Sequence, residues 1–441
     1  MNSLKISHEK GVIMNLQTPR GTRDFMPGEM EARKGVFATV ERVYERCGFR
    51  PLETPAFEEM EVLTAKCGED VVKQIYRIGD SSYGLRFDLT VPMARVVASN
   101  SALPKPFKRY QIGRVWRRDE PQKGRFREFW QADVDIVGSG EMAADAEVLA
   151  AACDALSELG FSGFEVRVNN RKLLDAVVEK AGVEKTKAGA VFRALDKIEK
   201  IGEEAVREEL KAKARVGEKE IAKLMEVTKI SGSSQKKLSE AAGMVSGNAR
   251  GEEGLKELTE LIYLFGKYEV AKKCSTVVDF ALVRGLDYYT GPIFEVKIPE
   301  GGVGSVAGGG RYDELIQLYG APPTPATGIS LGIERIIEVM RARKADDGKR
   351  RLVFVAAVKP EFREYAMKVA EEFRKAGVPA ETDLMGRNLR KQMEYANSIG
   401  AGFAAVVGEK EQKAATVTLR DLASGKEETV AVSDAAAKLK G

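Results

Sequence analysis

Apolar residues recur at helical spacing through Val36, Phe37, Val40, Val43, Tyr44 and Cys47, which predicts an amphipathic helix from about Glu29 to Arg46. Gly48 stops it. The following FRPLETPAFE reads as a strand, but Pro55 cannot donate to a ladder, so this strand belongs at an edge or an interface. SYGLRFDLTVP alternates Tyr83, Leu85, Phe87 and Leu89 against Arg86, Asp88 and Thr90, the pattern of a half-buried strand. From Lys108 to Gly138, KRYQIGRVWRRDEPQKGRFREFWQADVDIVG reads as two strands joined by a loop holding Pro121, Lys123, Gly124 and Arg125. A helix from about Met142 to Leu159 comes next, with Ala146, Leu149, Cys153 and Leu156 on its apolar stripe, and FEVRV reads as a further strand.

Between about 182 and 264 the text changes. Lys, Glu and Ala dominate and strand formers thin out, which predicts an inserted helical subdomain whose charges are mostly solvated faces. Strand-like text returns at VVDFALVRGLDYYTGPIFEVKI, followed by GSVAGGGRYDELIQLYG and TGISLGIERIIEVMRARK. The polar, turn-prone ADDGKR at Ala345 to Arg350 makes the best domain boundary. Beyond it strands and helices alternate: RLVFVAAV, a helix with Phe362, Tyr365, Val369 and Phe373 on one face, ETDL, a helix through Leu389, Met393 and Ala396, and GFAAVVG. That is the pattern of a small α/β domain with a mixed sheet. The expected organisation is a tail over 1–16, a main domain over 17–344 and a C-terminal domain over 351–441.

Chemistry concentrates on one face of the second hairpin strand. Trp130, Val134 and Ile136 share one side, while Arg127, Phe129, Gln131, Asp133 and Asp135 share the other. A solvated face explains charges. It explains poorly a Phe and a Gln interleaved with carboxylates and an Arg, a mixture suited to stacking a ring, reading an amine and gripping phosphate. The rest of the composition narrows the mechanism. At 441 residues, 44% hydrophobic and 31% charged, this is ordinary globular composition with room for two or three domains. The net charge of +4 sits on 70 basic and 66 acidic residues, permitting local nucleic-acid patches without demanding them. Cys47, Cys67, Cys153 and Cys274 form no C-x-x-C pair, which suits a reducing cytoplasm. No apolar run approaches the ~20 residues of a membrane span, and the N-terminal text lacks the apolar core of a signal peptide. The only histidine, His8, lies in the expected tail, whose removal to Met14 should leave function intact. A histidine relay is therefore not expected. Phosphoryl or adenylyl transfer tolerates that lack, because positioning and charge neutralisation do most of the work.

The hairpin, with Arg117 closing its first strand, resembles the second signature motif of class II aminoacyl-tRNA synthetases. The long helix, strand and Pro55 resemble the first motif, and GISLGIERI with Arg335 the third. RDEPQKGRFREFWQADVDIVG, RGLDYYTG and GGGRYDEL together are similar to the histidyl-tRNA synthetase family. The resemblance runs from QTPRGTRDF to the C-terminal domain. It implies an α+β class II catalytic domain, an antiparallel sheet flanked by helices, with a helical insertion and a C-terminal anticodon-binding domain, working as a cytoplasmic homodimer on L-histidine, ATP with Mg²⁺, and tRNA(His). It further implies that Asp88, Thr90 and Gln131 hold the substrate's α-ammonium group, with Leu89, Arg117 and Arg284 also in the histidine site, and that Asp135 and Tyr289 read the imidazole edges. Tyr288 and Tyr312 would shape that pocket. Arg117 would grip the α-phosphate, Asp119 and Arg125 would serve ATP, Arg125 at the outer phosphates, and Phe129 and Arg335 would sandwich adenine. Arg284 would neutralise the α-phosphate in the transition state.

Two departures, FDLT for a PEGT-like run and Asp135 for Glu, resemble the archaeal and eukaryotic branch. The competing reading is the synthetase-like, histidine-sensing regulatory subunit of ATP phosphoribosyltransferase, a paralogue that generally lacks the anticodon domain. In the C-terminal domain, Arg387, Arg390 and Lys391 of RNLRKQ are expected on one helix, as a phosphate-facing patch or as a solvated basic face.

Overall fold

The computed structural model describes residues 16–440 other than 66–67, 123, 196, 229, 284–287, 300, 301, 303 and 344–351. Contacts divide the chain into two compact units, 1–345 and 346–441.

The first unit is built on strands β1 (Arg50–Pro51), β2 (Phe57–Glu59), β3 (Tyr83–Leu85), β4 (Phe107–Trp116), β5 (Glu128–Val137), β6 (Phe164–Asn170), β7 (Cys274–Val278), β8 (Pro292–Lys297), β9 (Ser305–Arg311) and β10 (Ala326–Gly332). Eight of them form one sheet in the order β1-β4-β5-β10-β9-β8-β6-β7, antiparallel except for the outermost pairs β1–β4 and β6–β7. β1 is thus an edge strand, as Pro55 just beyond it predicts. β2 and β3 pair separately as a two-stranded ribbon. Helices Pro27–Arg46 and Met142–Glu158 lie against the sheet and bury Val36, Val40, Val43, Leu149, Cys153 and Leu156 in one core with Val134, Ile136 and Ile329. The hairpin, both helices and FEVRV fall where periodicity puts them.

Two expectations change. SYGLRFDLTVP is a strand only over Tyr83–Leu85, and a helix Thr90–Ser99 begins at its end. Asp88 Oδ1 accepts the Val91 amide at 3.0 Å, capping the first turn, and Pro92 sits where a missing N–H costs nothing. The alternation therefore breaks. Phe87, Asp88, Leu89 and Thr90 are all buried, and Arg86 is a structural tie donating to Arg114 O at 2.9 Å and to Thr54 O at 2.5 Å. The helices of 182–264 are present, but they share their cores with the sheet. Leu258, Leu261 and Phe265 pack with the β-sheet residues, and Val191, Leu210 and Leu224 pack with Tyr288 and Tyr312.

The second unit is a mixed five-stranded sheet, β11 (Val353–Ala357), β12 (Ala380–Thr382), β13 (Phe403–Val407), β14 (Thr416–Asp421) and β15 (Glu427–Ala431). Its order is β12-β11-β13-β14-β15, parallel across the first three strands and antiparallel across the last three. Helix Arg363–Lys375 buries Val369 and Phe373 against it. Asn388 caps helix Leu389–Ser398, so Arg387 lies before that helix rather than on it. Its guanidinium is held by Asp383 at 3.2 Å and stacks over Tyr395, leaving Arg390 and Lys391 as the exposed cations there. Among the described residues no helix is long and apolar enough to cross a membrane.

Candidate active site

The β4–β5 register decides the chemistry of the sheet's face. Arg109 stands opposite Asp135, Gln111 opposite Asp133 and Gly113 opposite Gln131, while β10 places Gly328 and Ser330 against Asp135 and Asp133 from the other side. An open cavity of about 940 Å³ lies over this face. Asp88, Thr90, Arg117, Asp119, Arg125, Phe129, Gln131, Asp135, Tyr288, Tyr289, Tyr312 and Arg335 all line it. Residues scattered over some 250 positions of sequence meet in one place. Leu89 is the exception: its side chain is fully buried outside the wall, and its carbonyl accepts Arg109 Nη2 at 3.1 Å. Arg284 falls outside the described residues.

The inner end of the cavity is acidic and dry. Asp135 is 2% exposed, ion-paired to Arg109 Nη2 at 2.8 Å, and accepts a short hydrogen bond from the Tyr312 hydroxyl on Oδ1. Tyr312 therefore does more than shape the pocket: it fixes Asp135. Burial pushes the Asp135 carboxyl above the usual range, opposed by Arg109 and by Tyr312. Asp133 is raised to about 7, first by burial and also by Asp135, with Arg109 pulling the other way. Asp88 is raised by burial against the Val91 amide and Arg117. Asp88 Oδ2, Asp133 Oδ1 and Gln131 Oε1 are buried and have no hydrogen-bond partner among the described residues. Buried acceptors in that state cost free energy that a cationic donor recovers.

Glycine makes the inner end possible. A Cβ on Gly328 would collide with Asp135 Oδ1, so only glycine lets that carboxylate lie flat on β10. All three glycines of GGGRYDEL lie inside β9, with Gly308 and Gly309 in the cavity wall; a Cβ on Gly309 would strike Gly328 O and one on Gly310 would meet the Tyr289 ring at 2.8 Å. Tyr289 and Tyr312 in turn flank Tyr288, with ring centroids 4.9 and 5.8 Å from it.

The outer end is basic and more open. Arg117 Nε donates to Phe87 O at 2.9 Å and its guanidinium lies 5.2 Å from the Phe129 ring centre. Arg125 is exposed, with Nε 3.7 Å from Asp119. Arg335, in the first turn of helix Ile333–Ala342, donates to Ser305 O at 2.6 Å. Beside it, buried Glu334 pairs with Arg33 of the 27–46 helix at 2.7 Å and accepts the Trp130 amide at 2.8 Å, locking three motif elements together.

Residues 21–336 match the sequence model described as histidyl-tRNA synthetase, and residues 352–441 match the model described as an anticodon binding domain. The chain belongs to the histidyl-tRNA synthetase family. Curated relatives include the histidine–tRNA ligases of Korarchaeum cryptofilum, 42% identical over 92% of this chain and 94% of that protein, and of Aeropyrum pernix, 42% identical over 95% and 96%. Among solved structures, histidyl-tRNA synthetase from Nostoc sp. PCC 7120 superposes with a TM-score of 0.83 at 31% identity, covering 97% of this chain and 99% of that one. A Bacillus halodurans protein titled as an ATP phosphoribosyltransferase regulatory subunit/histidyl-tRNA synthetase gives 0.72 at 25%, covering 87% and 96%.

Asp133, Gly328 and Ser330 also line the cavity; the alternation had put Asp133 on this face without a role, and Arg109, buried and paired with Asp135, was not singled out. Arg109 and Asp133 were visible as charges in consecutive strands. Counting the hairpin register back from its loop would have paired Arg109 with Asp135.

Proposed function

We propose that the cavity joins L-histidine to ATP and then to tRNA(His), the reaction of the family. The observation that supports this most is the buried set of Asp88, Asp133 and Asp135 around Arg109, closed by Tyr312 and opening towards Arg117, Arg125 and Arg335. In this reading Asp88, Thr90 and Gln131 hold the α-ammonium group, and the Leu89 carbonyl on Arg109 steadies their loop. Asp135 and Tyr289 give each imidazole nitrogen a partner. Arg117 and Arg284 neutralise the α-phosphate, Arg125 with Asp119 attends the outer phosphates, and Phe129 and Arg335 face adenine.

The histidine carboxylate oxygen attacks the α-phosphorus, the bond to the β-bridging oxygen breaks, and pyrophosphate leaves. The 3′ hydroxyl of the terminal adenosine then attacks the activated carbonyl, and AMP leaves. Fixed cations that oppose the growing charge supply most of the acceleration. Among the described residues no cluster of three could hold a metal by itself. Magnesium borne on ATP needs only phosphate oxygens, water and one or two carboxylates. Asp119, in the cavity wall beside Arg125, would be one such carboxylate, and the ion would screen phosphate charge there.

The assignment carries a division of labour: 17–344 activates and transfers histidine, and 351–441 reads the anticodon, with the tail over 1–16 outside both. A cytoplasmic homodimer is part of the same reading. Exposed Phe57 and Tyr83, ring to ring at 5.7 Å on the β2–β3 ribbon, support a second copy docking beside the edge strand. The regulatory-subunit reading is disfavoured by the anticodon-binding match over 352–441. The test is aminoacylation. With ATP and Mg²⁺ the protein should charge a tRNA(His) transcript with histidine, releasing AMP and pyrophosphate, and failure to charge any tRNA while still binding histidine would favour the regulatory reading.

A further inference from the structure

The ammonium site sketched above uses Asp88, Thr90 and Gln131, yet the cavity's inner wall holds another carboxylate. Asp133 is 2% exposed and lies between Gln131 and Asp135 on the same face of β5. No hydrogen bond or ion pair joins Arg109 to it: that guanidinium reaches Asp135 Oδ2 and the Leu89 carbonyl through Nη2, and its Nε and Nη1 have no partner among the described residues. Ser330, its register partner on β10, receives the Gln131 amide at 2.7 Å and supplies a hydroxyl near Asp133. One oxygen, Oδ1, remains buried without a partner among the described residues, and so do Gln131 Oε1 and Asp88 Oδ2.

We propose that Asp133 is a further substrate-contacting residue, accepting an N–H of the α-ammonium group and making the site select for a cation there. The inference rests on the histidine-activating reading and adds a residue to it. Charge balance points the same way. Three buried carboxylates face one buried guanidinium, and Arg117, the next cation in the wall, is held by the Phe87 carbonyl and acts on Asp88 rather than on Asp133. A zwitterionic substrate whose carboxylate leaves towards ATP brings its positive end to the acidic end.

Two competitive inhibitors separate this role from general upkeep of the pocket. Histidinol keeps the ammonium and lacks the carboxylate. 3-(Imidazol-4-yl)propionate keeps the carboxylate and lacks the ammonium. Asp133→Asn preserves shape but removes charge, and it should weaken histidinol by about 10- to 100-fold, the worth of one charge-assisted hydrogen bond. Imidazolepropionate inhibition and the KM for ATP should stay as in the wild type. Asp133→Ser, smaller than Asn, is the second variant should the amide disturb packing, and the same split is expected of it. Equal weakening of both inhibitors, or of neither, overturns the proposal. Failure of the underlying reading looks different: the wild-type protein would then show no histidine-dependent pyrophosphate exchange at all.

Discussion

Arg109 Nη2 lies 2.8 Å from Asp135 Oδ2, directly across the β4–β5 hairpin, and neither side chain is more than 3% exposed. The pair keeps an anion in a place that burial alone would neutralise. Removing one partner of such a pair strands the other, at about 3–5 kcal/mol. Arg109→Met should lower stability by that order in chemical denaturation, and what histidine binding survives should be weak. A variant as stable as the wild type, binding histidine normally, would show that Asp135 does not depend on Arg109.

Gly328→Ala places a methyl group against the Asp135 carboxylate. Overpacking of this kind costs about 1–3 kcal/mol, and here the strain falls on Asp135, the group proposed to read imidazole. The KM for histidine should rise by roughly 10- to 100-fold while the KM for ATP holds. Steady-state pyrophosphate exchange at varied histidine and varied ATP checks the split, and equal changes in both would contradict it.

The acidity of Asp133 gives a pH signature. Its carboxyl is raised from 3.8 to about 7, mainly by burial, among Arg109 on β4, Asp135 on β5, Asp88 before the 90–99 helix, Ser330 on β10 and Tyr44 on the 27–46 helix. Between those two values the folded chain holds a proton that the unfolded chain has lost, so this group's contribution to stability falls as pH rises through the window. Above it the penalty is complete. Asp133→Asn should therefore gain melting temperature on the wild type from pH 4 to 7 and no further beyond. A bound ammonium favours the carboxylate, so histidinol binding near pH 7 should release a proton fraction in the wild type that is absent from the variant. Calorimetry in two buffers of different ionisation enthalpy measures it.

Arg33 and Glu334 form another buried ion pair, joining the 27–46 helix to the helix that carries Arg335. Arg33→Met alone leaves Glu334 charged and unpaired, a loss of about 3–5 kcal/mol, whereas apolar replacement of both partners is often neutral. Arg33→Met with Glu334→Leu should recover part of the loss. Full recovery is not expected, since Glu334 also accepts the Trp130 amide. Denaturation of the three variants and the wild type closes the cycle.

The sequence carried what depends on local period. The alternation from Phe129 to Asp135 located the face that lines the cavity, and the stripe through Leu149, Cys153 and Leu156 located a helix packed in the same core as Val134 and Ile136. It was misleading at Phe87 to Thr90, where both faces are buried: alternation says nothing about a turn whose sides are all covered, and the informative signals were Asp88 and Pro92 around a helix start. Arg387 misled for a related reason. Helical spacing fits Arg387, Arg390 and Lys391, but Asn388 caps the helix and leaves Arg387 to Asp383. Arg109 was hidden because its partner is 26 positions away, a distance only strand register bridges. The glycines of β9 and β10 were legible as glycines but not as neighbours of Tyr289 and Asp135.

The most direct measurement of the central claim is amino-acid-dependent exchange of labelled pyrophosphate into ATP, run with each standard amino acid separately and without tRNA. The account predicts exchange with histidine and none above background with the others, because in the proposed site Asp135 and Tyr289 read an imidazole ring that no other standard side chain carries. Exchange of equal strength with any other amino acid, or none with histidine, would contradict it.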